Sequence, residues 1–130
     1  MHGWHSFGTS TVGYRHIKTT LWAGGAPSGN TQFIMGGWHV RGYRYTTAGI
    51  LDTQVYFHNW DGVYANKNIV ENGNWTSAVD VYTSSDGYVV LRIATEAYTG
   101  FVIDLHQFFD YPTRDIRILA ETQSASATYY

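Results

Sequence analysis

Apolar and polar residues along this chain alternate mostly with a period of two, the spacing of a half-buried strand. Residues 14–23 are β-branched and aromatic, and Gly24-Gly25-Ala26-Pro27-Ser28-Gly29-Asn30 breaks them. Residues 32–45 read as one long strand, with Gly36-Gly37 predicting a bulge or sharp bend at its middle. Residues 50–60 form the next strand, closed by the turn dipeptide Asp61-Gly62. Residues 66–76 are polar, contain Asn72-Gly73-Asn74 and predict the longest loop. Residues 78–83 and 88–95 flank Ser84-Ser85-Asp86-Gly87, a strong hairpin signal. Residues 101–109 make a strand that ends at Tyr111-Pro112, and residues 114–121 make the last. No stretch keeps a helical period with caps. The expectation is one all-β domain over residues 1–130, a β-sandwich of jelly-roll type with about seven or eight antiparallel strands. Residues 1–13 would be an N-terminal arm, and residues 123–130 a low-complexity tail that frays.

The alternation also assigns faces. Val89, Leu91 and Ile93 share an apolar side, with Tyr88, Val90 and Arg92 opposite. Ile116, Ile118 and Ala120 are expected inward, with Asp115, Arg117 and Leu119 outward. Leu51, Val55 and Phe57 share one side of their strand; Asp52, Gln54, Tyr56, His58 and Trp60 share the other. That second side is polar and aromatic, suited to a ligand or a neighbouring subunit.

Composition sharpens this picture. A chain of 130 residues fits one domain. Charged residues are only 14%, so much of the surface must be neutral, polar or aromatic. Aromatics are 17%, more than one small core can hide, so some belong on the surface or in a subunit interface. The net charge of −2 argues against a nucleic-acid partner, which needs a clustered basic excess. The absence of cysteine excludes disulfides and thiolate sites, and oligomerisation is another source of stability. No apolar run nears the roughly 18 residues that span a bilayer, so no membrane insertion is expected. The first thirteen residues lack the order of a signal peptide.

Candidate chemistry is sparse. A glycosidase needs two carboxylates across a sugar, and Asp52, Asp61, Asp80, Asp86, Asp104 and Asp110 are available. Asp61 and Asp86 precede glycine in turns, where aspartate serves turn geometry. Asp104 sits mid-strand among Val102, His106 and Phe108, as a partnered structural carboxylate or a perturbed one. The histidines at positions 2, 5, 16, 39, 58 and 106 show no H-x-H spacing, so neither a metal nor another cofactor is expected. No nucleophile elbow or phosphate-cradling loop occurs. Aromatic platforms remain, because sugar rings lie well on Trp and Tyr while Asp, Asn and Arg take the hydroxyls. The ligand-binding candidates are Trp60, Asp61, Tyr64, Asn74 and Trp75 around the long loop, with Arg41 and Arg44 on the strand that carries Trp38, Tyr43 and Tyr45. Packing in the core or between subunits is the competing role for those aromatics.

Four segments carry a family resemblance: His16-Ile17-Lys18-Thr19, Phe33-Ile34-Met35-Gly36-Gly37-Trp38, Gly42-Tyr43-Arg44-Tyr45, and Ser84-Ser85-Asp86-Gly87-Tyr88-Val89-Val90-Leu91-Arg92. They resemble the C-terminal modules of marine bacteriophage tail fibres, over residues 14–122. The resemblance implies a β-sandwich tip, commonly a homotrimer, that binds a host-surface glycan or outer-membrane protein and works without catalysis. It implies a virion location beside other virion proteins, and an extracellular one after lysis of the host. A fibre carries a shaft before its tip, whereas this sequence starts at Met1, so an excised tip and a free-standing virion protein both stand open. A capsid decoration protein without a host ligand, and a small lectin or glycoside hydrolase, are the alternatives.

Overall fold

A half-apolar strand hides its apolar side only by packing against another layer, and this chain builds two such layers. The computed structural model describes residues 4–23, 33–60, 63–111 and 116–130. Among them are nine strands and no helix: β1 (His5–Thr9), β2 (Gly13–Trp22), β3 (Phe33–Arg44), β4 (Gly49–Trp60), β5 (Val63–Glu71), β6 (Val79–Thr83), β7 (Tyr88–Thr95), β8 (Thr99–Tyr111) and β9 (Ile118–Ser124). A five-stranded sheet has the order β1-β8-β3-β4-β5, and a four-stranded sheet the order β6-β7-β2-β9. All neighbours are antiparallel. The fold is a β-sandwich. The chain changes sheet after β2 and again after β7, and because these neighbours are antiparallel the two changes fall at opposite ends of the sandwich. Five strands face four, and β3, β4 and β5 run as a meander.

The core lies between the inner faces. Ile17 and Leu21 of β2, Val79 and Val81 of β6, and Val89, Leu91 and Ile93 of β7 meet Trp38, Val40, Leu51, Val55, Phe57, Phe101 and Ile103 of the larger sheet. Each such aliphatic side chain contributes about 1.5–3 kcal/mol when fully buried. Trp38 is completely buried, and its indole N–H has no acceptor among the described residues. Burying roughly 200 Å² of indole at ~25 cal/mol/Å² gives about 5 kcal/mol. An unmet N–H costs about 1–3 kcal/mol, so burial wins.

The glycine pair is the bulge that the sequence predicts: the β3–β8 register shifts between Met35 and Gly36. A Cβ on Gly36 would lie 2.2 Å from the His106 carbonyl oxygen, and one on Gly37 1.9 Å from that of Val55. Gly37 also has φ 156°. Both flanking strands therefore approach closer than any side chain allows. The space between this pair and Leu21, Ile34, Phe57 and Ile116 has no room for a water molecule.

Polar seams close the two open sides. Between β5 and β6, Tyr64 Oη and Thr83 Oγ1 share a hydrogen bond of 2.8 Å, and Lys67 Nζ donates to Asp80 at 2.9 Å. Between β1 and β9, Glu121 takes Arg15 Nε at 2.5 Å and His5 Nε2 at 3.0 Å, while the Arg15 guanidinium stacks on Phe7.

Several boundaries differ from those expected. Residues 1–13 contain a strand, β1, which pairs with β8. The expected loop over 66–76 is strand as far as Glu71. As an edge strand β5 is exempt from alternation, and Asn66 at φ 54°, Lys67 and a register shift opposite Tyr56–His58 blunt that edge. The last strand runs Ile118–Ser124 rather than 114–121. Its register shifts around Leu119, which brings Ala120 opposite outward-facing Lys18 instead of into the core. The breaker 24–30, the turn Asp61-Gly62 and residues Pro112, Arg114 and Asp115 lie outside the described residues.

A Gly37→Ala substitution should lower stability by about 2–4 kcal/mol, from backbone strain and the clash with Val55. Urea unfolding followed by tryptophan fluorescence measures it; a loss under ~0.5 kcal/mol would show that the strands can part at no cost.

Candidate functional site

The outer faces of the two sheets differ sharply. Register puts Met35, Gly37, His39, Arg41 and Tyr43 of β3 on the outer face of the larger sheet. Ile50, Asp52, Gln54, Tyr56 and His58 of β4 stand beside them, as do Val102, Asp104 and His106 of β8. The side of β4 that carries Asp52, Gln54, Tyr56 and His58 is thus outward, as its alternation predicts. Met35, Tyr43, Ile50, Val70, Val102 and Phe108, all on this face, are exposed large apolar side chains, and Phe108 is 71% exposed.

Polar bonds organise the middle of the face. Arg41 Nη2 donates to Asp104 Oδ2 at 2.6 Å, and His39 Nε2 lies 2.6 Å from Asp52 Oδ1. Asp104 is only 5% exposed although it stands on an outer face, and its Oδ1 has no partner among the described residues. Tyr56 and His106 are the register partners of Gly37 on either side. With no side chain between them, the two rings meet across the glycine, stacked at 5.9 Å and 13°, and Tyr56 Oη lies 2.6 Å from His106 Nδ1. Phe108 packs on both rings, at 5.6 and 6.3 Å. Burial pushes the Tyr56 phenol above its usual 10.0, and the charge of Asp104 adds to the shift. Tyr56 therefore stays protonated and acts as a packing ring with a polar end.

What this face can do is bind. Aromatics, methionine and arginine are the residues enriched in interface cores. On this face Arg41 is paired with Asp104, and His39 with Asp52. Among the described residues no group of three or more His, Asp or Glu is placed to hold a metal ion. A cleft of about 270 Å³ lies elsewhere, between β5 and β6, lined by Ile69, Glu71, Ser77, Val79, Asp80 and Arg92.

The candidate ligand residues do not converge on one site. Arg41 stands on the face just described, with its side chain 54% exposed. Arg44, Asn74 and Trp75 gather at one end of the sandwich. There the Arg44 guanidinium lies 4.7 Å from the Trp75 ring and its Nη1 meets Glu96 at 3.3 Å. Trp75 is 5% exposed and packs on Phe101, so it presents no open platform. Asn74 Oδ1 accepts the Ile50 N–H at 2.6 Å, a turn-holding bond. Tyr64 lies at the other end of β5, roughly 30 Å away at ~3.3 Å per residue. It packs edge-on to Phe57, and burial raises its phenol above 10.0 against the opposing Thr83 hydrogen bond. The Trp60 side chain and Asp61 lie outside the described residues. Tyr45, on the aromatic strand that the sequence marks, and Tyr98, which the sequence did not single out, are well exposed at the Arg44 end and meet edge-to-face at 6.2 Å. Tyr98 holds φ 57°, a strained conformation of the kind found at functional turns.

Among the carboxylates, Asp86 is a turn residue: Lys18 and Ser84 bond it and hold its carboxyl below the usual range. Asp80 is bound by Lys67. Asp110's side chain is outside the described residues. Asp52 and Asp104 share the outer face, each against a base. Comparison with family models, with curated proteins and with solved structures finds no match to this chain.

Removing Arg41 strands the buried Asp104 carboxylate. Arg41→Ala should cost about 1–3 kcal/mol, less than the ~3–5 kcal/mol of a fully buried pair because solvent reaches the guanidinium. The double variant Arg41→Ala/Asp104→Val should recover most of that loss in urea unfolding. Additive losses would show that the pair is not what the face is built around.

Proposed function

We propose that this chain is a non-enzymatic binding module of a virion, of the tail-fibre-tip type, which assembles with copies of itself through the outer face of the five-stranded sheet. The observation that carries the reading is the set of six exposed large apolar side chains on that face. Its size agrees. The five strands run from five to thirteen residues and average about ten, or about 30 Å, and they lie about 19 Å across, which gives roughly 600 Å² in plan. One partner in a standard protein interface contributes about 800 Å². An open area of that size suits a protein surface better than a single sugar.

The occupant is a second copy. Arg41 and Asp52 are register partners, and each stays partly exposed beyond its own bond to Asp104 or His39, so the same strip presents a cation and an anion to a second copy. A repeated contact between copies can match one against the other. The tail-fibre resemblance supports a homotrimer. With the sheet face taken by subunits, the host receptor, a surface glycan or an outer-membrane protein, would meet the end bearing Tyr45, Tyr98, Arg44 and Asn74. Tyrosine rings beside an arginine and an amide suit a sugar's apolar and hydroxyl edges. The molecule would act on the virion surface and outside the cell after lysis, beside other virion proteins.

Sedimentation at micromolar concentration should give an oligomer, and Tyr56→Ala/Phe108→Ala should dissociate it at least tenfold more easily, with the fold retained. A stable monomer at that concentration would remove the assembly reading. Labelled protein should bind host cells and lose that binding in Tyr45→Ala/Tyr98→Ala. An oligomer that labels no cells would leave a capsid decoration protein instead.

A further inference from the structure

Residues 125–130 do not fray. They return across the outer face of the four-stranded sheet, and the residue beneath them is His16. Its imidazole is completely buried, yet it points away from the core, on the face it shares with Lys18 and Arg92. Its Nε2 lies 2.9 Å from the Ser126 carbonyl oxygen, so this nitrogen carries a proton and donates. Its Nδ1 lies 2.8 Å from Tyr82 Oη and accepts the phenol proton. Tyr82 Oη in turn accepts the N–H groups of Tyr129 at 3.2 Å and Tyr130 at 3.3 Å. Further ties run from Arg92 Nη1 to the Ala127 carbonyl at 3.1 Å and from Thr122 Oγ1 to the Tyr130 hydroxyl. The Tyr129 and Tyr130 rings close over the imidazole, and Val90 on the same face is completely buried.

We infer that residues 125–130 form a proton-released strap: neutral His16 locks it onto the four-stranded sheet, and protonation of His16 lets it go. The reason is a count of hydrogen-bond positions. A hydroxyl has one proton and two lone pairs, and Tyr82 uses all three. A second imidazole proton, on Nδ1, would require Tyr82 to accept a third bond, so one strap amide must lose its acceptor.

The charged surroundings point the same way. From β7, Arg92 faces the ring as a cation. From β2, Lys18 stands two residues along, held by Asp86 and by the rings of Tyr88 and Tyr130, while Tyr14 packs on the other side. From β6 come Tyr82 and Asp80, and Asp80 is bound to Lys67 and to the Val81 N–H. From β9, Thr122 does not titrate. The strap adds the rings of Tyr129 and Tyr130. Among the described residues, the side-chain carboxylates nearest the ring, Asp80 and Asp86, are both already bound. Burial lowers the His16 pKa below 6.5; the Ser126 bond opposes this and Arg92 adds to it. The docked strap thus binds fewer protons than the released one. Its stability is full above 6.5 and is lost as the pH falls below that value. Release uncovers His16 and frees the Tyr82 hydroxyl, both engaged by the strap at neutral pH.

Hydrogen–deuterium exchange, expressed as protection factors, tests this. Protection over residues 126–130 should fall by up to ~tenfold per pH unit from about pH 6.5 towards about pH 5, while β3 and β8 stay constant. His16→Gln, which can donate to Ser126 but does not titrate, should abolish that dependence. Equal protection at both pH values, or an unchanged dependence in His16→Gln, would overturn the proposal. If that variant does not fold, ¹⁵N titration of the His16 ring in the unmodified protein decides. A midpoint shared with strap release supports the switch, and separated midpoints overturn it.

Discussion

Each sheet of a sandwich has an inner face that the other sheet covers and an outer face that it cannot. In a chain with 17% aromatics and 14% charged residues, the outer faces inherit rings and aliphatics, and something must cover them. The four-stranded sheet meets this constraint from within the chain. Residues 125–130 lie over His16 and Tyr82, and the bonds that hold them run mostly between side chains and backbone. The five-stranded sheet has no such strap among the described residues. Its outer face keeps Met35, Tyr43, Ile50 and Phe108 in the open.

The glycine pair links the core to that open face. Removing side chains at Gly36 and Gly37 draws β8 and β4 towards β3 and keeps the space beneath dry. The same absence lets Tyr56 and His106 meet above Gly37, with Phe108 against both. One local backbone constraint thus tightens the packing around Trp38 and builds the most prominent aromatic cluster of the outer face. The ion pair of Arg41 with the buried Asp104 adds register specificity, because a one-residue slip of β8 would put that carboxylate into the core.

Period two carried most of the fold. The sides of Val89, Leu91 and Ile93, of Leu51, Val55 and Phe57, and the turn at Ser84-Gly87 follow from alternation and turn chemistry alone. What failed lies where alternation has no force. Strand β1 is five residues with a single large apolar side chain, Phe7, and forms because β8 offers an edge. Polar β5 pairs along one side only. The strap is rich in serine and alanine, and nothing periodic records that Tyr82, 47 and 48 residues before the amides it accepts, will hold it. The site was legible in pieces. The outward side of β4 was visible, but Arg41 finds Asp104 across 63 positions, and only strand order supplies that. Tyr64 and Trp75, close in sequence, were grouped on the assumption of a loop, and β5 carries them to opposite ends.

The account stands on the outer face of the five-stranded sheet being covered when copies meet. Hydroxyl-radical footprinting at nanomolar and micromolar concentration reads this directly, because Met35, Tyr43 and Phe108 are exposed and oxidisable. The account predicts that these three lose most of their reactivity at the higher concentration, while Tyr45 and Tyr98 at the sandwich end keep theirs. Equal labelling of Met35, Tyr43 and Phe108 at both concentrations would contradict it.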